Sequence, residues 1–231
     1  MTQLERKPTS DNSVVRSTGS MAVATLMSRI TGFIRTVMIT SALGGAVASA
    51  FNTANTLPNM ITEIVLGSVL TALVVPVLVR AEKEDPDQGA AFIRRLFTLT
   101  LTLVTVVTVV TVIAAPLLTR VMLDVDGEVN VIQSTSFAYL LLPQIMFYGL
   151  FSLFMAVLNT KEVFRPGAWA PVVNNLVSIA VLALYMLLPG SIGKDDPTGV
   201  MDPHVLLLGL GTTLGVVVQC LIMVPALRRL N

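Results

Sequence analysis

Apolar residues in this chain fall into six long runs, separated by shorter polar stretches. The runs lie at about 18–43, 59–79, 96–117, 134–158, 169–189 and 204–227. Each is long enough to cross a ~30 Å hydrocarbon layer as a helix rising ~1.5 Å per residue. A less apolar approach at 46–58 precedes the second run, and Pro58 is read as a kink in one continued helix. Residues 1–17 are polar, contain Pro8 and read as a flexible tail. The first run is of spanning length and holds two arginines, so it reads as a membrane helix rather than a cleaved leader.

The third run, LFTLTLTLVTVVTVVTVIAA, repeats threonine every two or three residues, which imitates a strand. A lone strand cannot satisfy its backbone in lipid. Threonine in a helix can return its hydroxyl to a carbonyl one turn back. A helix is therefore predicted, with Thr98, Thr102 and Thr105 on one face that packs against a neighbour or, as the alternative, lines a cavity.

Composition sharpens the class. The chain is 54% hydrophobic and 13% charged, with mean hydropathy +0.79. Those values exclude an ordinary soluble domain. The apolar runs are far longer than the ~10 residues of an outer-membrane barrel strand. The fold class is an all-α polytopic membrane protein with six transmembrane helices over residues 18–229. The single Cys220 excludes an internal disulfide framework and reads as a packed thiol; the single His204 borders a span and reads as a loop or interface residue.

Charge sets the orientation. With the N-terminus inside, eleven of the fifteen Lys and Arg fall on the cytoplasmic side and two, Arg120 and Lys194, outside. The remaining two lie within the membrane. This asymmetry predicts cytoplasmic N- and C-termini in a bacterial inner membrane. The acidic outer stretches, with Asp124, Asp126 and Glu128, then Asp195, Asp196 and Asp202, lack the spacing of a calcium loop and read as solvated. There is no grouping of nucleophile, base and acid, and no phosphate-binding glycine loop of the GxxxxGK[ST] type. A transporter is expected rather than an enzyme, with no cofactor, no metal and no nucleic-acid partner.

The intramembrane pair, Arg29 and Arg35, carries the most chemistry. An arginine at mid-bilayer costs roughly 2.5–3.5 kcal/mol on insertion scales. Six residues place the two about 120° apart around a helix and about 9 Å apart along it, so they can flank one volume. Guanidinium forks suit phosphate. Gly32 between them leaves a strip where a ligand or helix could approach. The alternative is that both arginines pair with acids or carbonyls and fix packing. Glu63 is the only acid within a span and reads as an ion site, a counter-ion to an arginine, or a hydrated helix end. Asn52, Asn55 and Asn59 form one helical row that lines a wet cavity or bonds a neighbouring helix, and Asn174 and Asn175 invite the same two readings. Pro143 and Pro171 interrupt helical patterns and are compatible with bending.

Three stretches resemble one family. SMAVATLMSRITGFIRTVMI at 20–39, ASAFNTANTLPNMI at 48–61 with VVPVLVR at 74–80, and AVLNTKEVFRPGAWAPVVNN at 156–175 are similar to the MurJ/MviN lipid II flippases of the multidrug/oligosaccharidyl-lipid/polysaccharide exporter superfamily, in the actinobacterial style. The resemblance covers most of residues 20–227. It implies two six-helix lobes around a cavity that opens to either side in turn. It also implies that Arg29 and Arg35 face that cavity and engage the diphosphate of a lipid-linked peptidoglycan precursor. The chain departs from the family at three places. Ser49 replaces an acid, Thr62 and Glu63 replace a basic pair, and Gly67-Ser68 replaces an acid-glycine step. Any counter-ion or gating role at these points rests on Glu63 and Ser49. Six spans correspond to one lobe, so a second lobe or second copy is expected as partner, together with lipid II and membrane lipids. An exporter of another polyprenyl-linked sugar or drug, and a non-transporting scaffold for cell-wall synthesis, are the alternative functions.

Overall fold

The threonine-rich run is helical, and its hydroxyls are bonded within the helix. In α4 (Ala90–Ile113) the hydroxyls of Thr98, Thr102, Thr105, Thr108 and Thr111 donate to the carbonyls of Arg94, Thr98, Leu101, Val104 and Val107 at 2.6–3.1 Å. The strand-like alternation is thereby neutralised. The packing face is the opposite of the expected one. Leu96, Thr100, Val104 and Thr111 are buried, whereas Thr98, Thr102 and Thr105 are exposed. Once its hydroxyl is satisfied, a threonine shows its methyl outward and can face lipid.

The computed structural model describes residues 11–67, 75–84, 90–123 and 129–229. The remaining elements are α1 (Asp11–Leu43), α2 (Gly45–Thr62), a π-helical turn (Glu63–Gly67), α3 (Val75–Glu84), α5 (Ala115–Leu123), α6 (Val131–Leu141), α7 (Gln144–Thr160), α8 (Arg165–Leu187), α9 (Pro203–Leu221) and α10 (Val224–Arg228). The described residues form helices without a strand. Helix α8 lies between α1 and α9, and α2 lies on α6 and α7. Phe51 of α2 meets Phe137 of α6 edge to face at 5.3 Å, within a core that includes Leu57, Leu141, Ile145 and Leu208. Close approach of α9 depends on glycine. A Cβ at Gly211 would overlap the Val181 side chain, and one at Gly215 the Asn174 carboxamide.

Four described helical stretches are long and apolar enough to cross a membrane, five if the bent pair α6–α7 is one crossing. The second expected crossing, 59–79, includes residues 68–74, which lie outside the described residues, as do tail residues 1–10 and the acids Asp124, Asp126 and Glu128. The expected tail also overlaps α1, which begins at Asp11. The single helix expected at 134–158 is instead two, bent by 45° at Leu142–Pro143. Pro143 has no N–H to give the Tyr139 carbonyl, so the ladder breaks there. The same cause divides the third run before Pro116 and the sixth before Pro225. Pro58 behaves differently. Helix α2 continues through it, and the irregular π turn follows one turn later.

The ends of the bundle differ in charge. Leu78, Leu96, Val157 and Leu227 pack together, which gathers Arg80, Arg94, Arg95, Lys161 and Arg228 at one end. The Trp169 indole donates to Ser20 Oγ at 3.4 Å and so brings the start of α1 to this end too. The opposite end is tied by Gln133, whose amide donates to the carbonyls of Gly193 and Asp196. There Asp196 accepts from the Gly193 amide and Asp202 caps α9, so both acids serve the loop and helix. His204 packs edge to face on Tyr185, and Cys220 is buried, as their sequence positions imply.

Candidate functional site

Helix α1 carries a polar stripe. At about 100° per residue, Thr25, Ser28, Arg29, Gly32, Arg35, Thr36 and Thr40 fall within a sector of roughly 140°. Ala24 and Thr31 are buried on one side of it, and Phe33 and Leu26 are exposed on the other. The threonines close on their own helix: Thr25, Thr36 and Thr40 donate to carbonyls one turn back. The charge of the stripe is left to the two arginines.

They sit in different surroundings. Arg29 is exposed on the surface of the bundle. Arg35 is partly buried between α1, α7 and α8. Its Nη1 donates to Asn175 Oδ1 at 3.5 Å, and Tyr148 of α7 lies within electrostatic reach of the guanidinium. The Asn175 amide donates in turn to the Ser28 carbonyl at 3.1 Å and to Thr31 Oγ1 at 3.2 Å. Asn175 thus fixes its own carboxamide on α1 and presents its oxygen to Arg35. Gly32 lies beside it, and a Cβ there would stand 3.4 Å from Asn175 Nδ2, an ordinary van der Waals contact. The strip beside Gly32 is therefore occupied by a partner helix next to Asn175.

Asn174 points the other way. Its amide donates to Gln219 Oε1 of α9 at 2.8 Å. Two successive asparagines thus join α8 to α1 and to α9. Of the two readings open for this pair, interhelix bonding is the one the geometry displays.

Helix α2 carries a second stripe. Ser49, Asn52, Thr56, Asn59 and Glu63 recur at helical spacing within about 80° of one another, and all five are exposed. Asn55 stands apart from this row. It is half-buried, and its Oδ1 is enclosed without a hydrogen-bond partner among the described residues. Glu63 makes no ion pair with Arg29 or Arg35 among the described residues. It begins the π turn and lines a cavity of about 270 Å³ with Asn59, Thr62, Tyr148, Ser152 and Gln219. Single π turns in α-helices are frequent at functional sites.

Tyr148, Ser152 and Gln219 escaped the sequence reading. Tyr148 and Ser152 are four residues apart and therefore share a face of α7, and Gln219 is a lone polar amide in a glycine-valine run. Those are the signals that could have found them.

Loss of Asn175 isolates the positioning effect from the charge. Asn175→Leu strands the buried partners of its amide, at roughly 1–3 kcal/mol. The expected result is a lower melting temperature in detergent and slower growth of a complemented strain, milder than loss of Arg35. Unchanged melting and growth would leave Arg35 positioned by other contacts.

The sequence matches the profile of the family described as lipid II flippase MurJ over residues 39–231. The chain belongs to this family. Curated relatives carry the same name, "Probable lipid II flippase MurJ". That of Rhizobium meliloti (strain 1021) is 28% identical over 198 residues, covering 82% of this chain and 37% of that protein. That of Borreliella burgdorferi is 25% identical over 183 residues, covering 79% and 35%. That of Buchnera aphidicola subsp. Baizongia pistaciae is 22% identical over 222 residues, covering 94% and 41%. The chain thus spans about two fifths of the length of these family members or less. The family profile starts after Arg29 and Arg35, but a match over 94% of the chain leaves too few residues outside it to miss them.

Proposed function

We propose that this chain forms the N-terminal lobe of a lipid II flippase, moving a lipid-linked diphosphate precursor of peptidoglycan across the bacterial inner membrane by alternating access. The observation that carries this reading is the pair of polar stripes on α1 and α2. Polar rows on membrane helices are costly against acyl chains and belong against water or protein. They supply two cations, a row of neutral hydrogen-bonding groups and one acid, which suits a diphosphate bearing a sugar-peptide headgroup. Arg29 and Arg35 bind the diphosphate. Asn52 and Asn59 line the approach, and Asn55 supports the α2 wall from behind. Glu63 and Ser49 act at the gate. A second six-helix lobe, or a second copy, closes the cavity.

The test is made in cells depleted of their own flippase and supplied with the full-length protein that contains this lobe. Lipid II headgroups are expected to become accessible to an externally added probe as expression rises. Full expression with no gain in accessibility overturns the transport reading.

The orientation is tested separately. With both termini cytoplasmic, Asp195→Cys in a Cys220→Ala background is labelled by an impermeant reagent from outside, and Asn159→Cys only after permeabilisation. The reverse labelling would invert the topology. The motive is the gathering of cations at one end of the bundle.

A further inference from the structure

A groove of about 280 Å³ opens at the cation-rich end of the bundle, away from the two stripes. One wall is the first turn of α8, with Arg165, Pro166 and Trp169. The other is the α9–α10 junction, with Ile222, Pro225 and Arg229. We propose that this groove binds the phosphate headgroup of an anionic phospholipid.

Four features support the assignment. Arg165 and Arg229 are both exposed, and neither guanidinium has a hydrogen-bond or ion-pair partner among the described residues. Among the described residues, no acid lines the groove to neutralise them. The N-terminus of α8, a helix of 23 residues, opens here without a side-chain cap, since its N-cap is Phe164. Its free N–H groups add partial positive charge beside Arg165. Trp169 sets the depth, because indoles concentrate at the level of lipid headgroups.

The rest of the surface selects a lipid over a soluble anion or an acidic protein. Leu214 and Leu221 fall on one row of α9 at helical spacing, and Pro225 follows in α10. Leu214 and Leu221 are 52% and 56% exposed. An acyl chain leaving a phosphate in the groove would run along this row. Basic pockets between membrane helices on the cytoplasmic side are sites of this chemistry.

Trp169 is the chain's single tryptophan, so its fluorescence reports on the groove directly. The purified protein is placed in phosphatidylcholine vesicles doped with either phosphatidylglycerol or phosphatidylcholine brominated on the acyl chain. Quenching by the brominated phosphatidylglycerol is expected at a lipid fraction lower by roughly thirtyfold, about what two interfacial cations contribute. Arg165→Gln/Arg229→Gln should abolish the difference. Arg94→Gln/Arg95→Gln removes the same charge at the same end of the bundle and should preserve it. Equal quenching by both lipids in the unaltered protein overturns the proposal and leaves the groove to an acidic protein partner. Equal loss in both double variants also overturns it, since diffuse surface charge would then explain the preference. Displacement of the quenching lipid by millimolar inorganic phosphate would identify a general anion site instead.

Discussion

Arg29→Ala and Arg35→Ala, each placed in the full-length protein, are expected to abolish growth of a flippase-depleted strain while leaving the protein in the membrane. The two should fail for different reasons. Arg29 has no side-chain hydrogen-bond or ion-pair partner among the described residues, so its loss is expected to remove chiefly what it offers to a ligand. Arg35 holds one hydrogen bond to Asn175, and its other side-chain N–H groups make none among the described residues. Its loss removes a ligand contact and also strands the Asn175 oxygen. Arg35→Ala should therefore also lower the melting temperature, and Arg29→Ala should not. Lysine is a poor substitute at Arg35, because a point charge cannot reach Asn175 and grip a phosphate with the same fork. Growth curves beside a membrane-fraction blot provide the measurement. Normal growth of both alanine variants at normal abundance would reduce the pair to packing.

The 231-residue chain alone is expected not to translocate lipid II. Its stripes lie on the surface of the bundle, and half a cavity cannot hide a polar headgroup. Two uncovered arginines would cost roughly 5–7 kcal/mol at mid-bilayer. Arg35 is already sheltered by α7 and α8, so the burden falls chiefly on Arg29. That remainder favours self-association or instability of the isolated chain. Headgroup accessibility is measured in proteoliposomes with the oligomeric state determined in the same vesicles. Translocation by a demonstrated monomer would refute the half-cavity argument.

Much of this architecture was legible in the sequence. Apolar length alone identified helices where α1, α4, α8 and α9 lie, because lipid leaves the backbone no alternative. The breaks were less legible. Pro58, Pro143 and Pro171 look alike in the sequence, yet only Pro143 splits its run; α8 continues through Pro171. What decides is whether neighbours hold the helix together past the lost hydrogen bond, and a single sequence does not contain that. At the site, the α2 row was visible as a spacing at Asn52 and Asn59, whereas its extension to Ser49, Thr56 and Glu63 was not drawn from the sequence. Asn55 was assigned to the same row because its place in the pattern is right within one step, and a 60° offset is enough to turn it inward. The partners on α7 and α9 could not be found by spacing. Tyr148 and Gln219 meet α2 and α8 only through the tertiary fold.

The paired asparagines have a mechanical consequence. Because α8 is bonded through Asn175 to α1 and through Asn174 to α9, sliding any one of these helices past another would break partly buried polar contacts between helices. The three form a stiff plank. A lobe that rocks must carry the plank whole and yield elsewhere, and the compliant places are already built: the positive-φ joint at Gly44, the widened turn at Glu63–Gly67 and the elbow at Leu142–Pro143. Of these, the turn at Glu63–Gly67 lies at the end of the α2 stripe, so flexure there would move Glu63 relative to Arg35, coupling the shape of the cavity to its own charge.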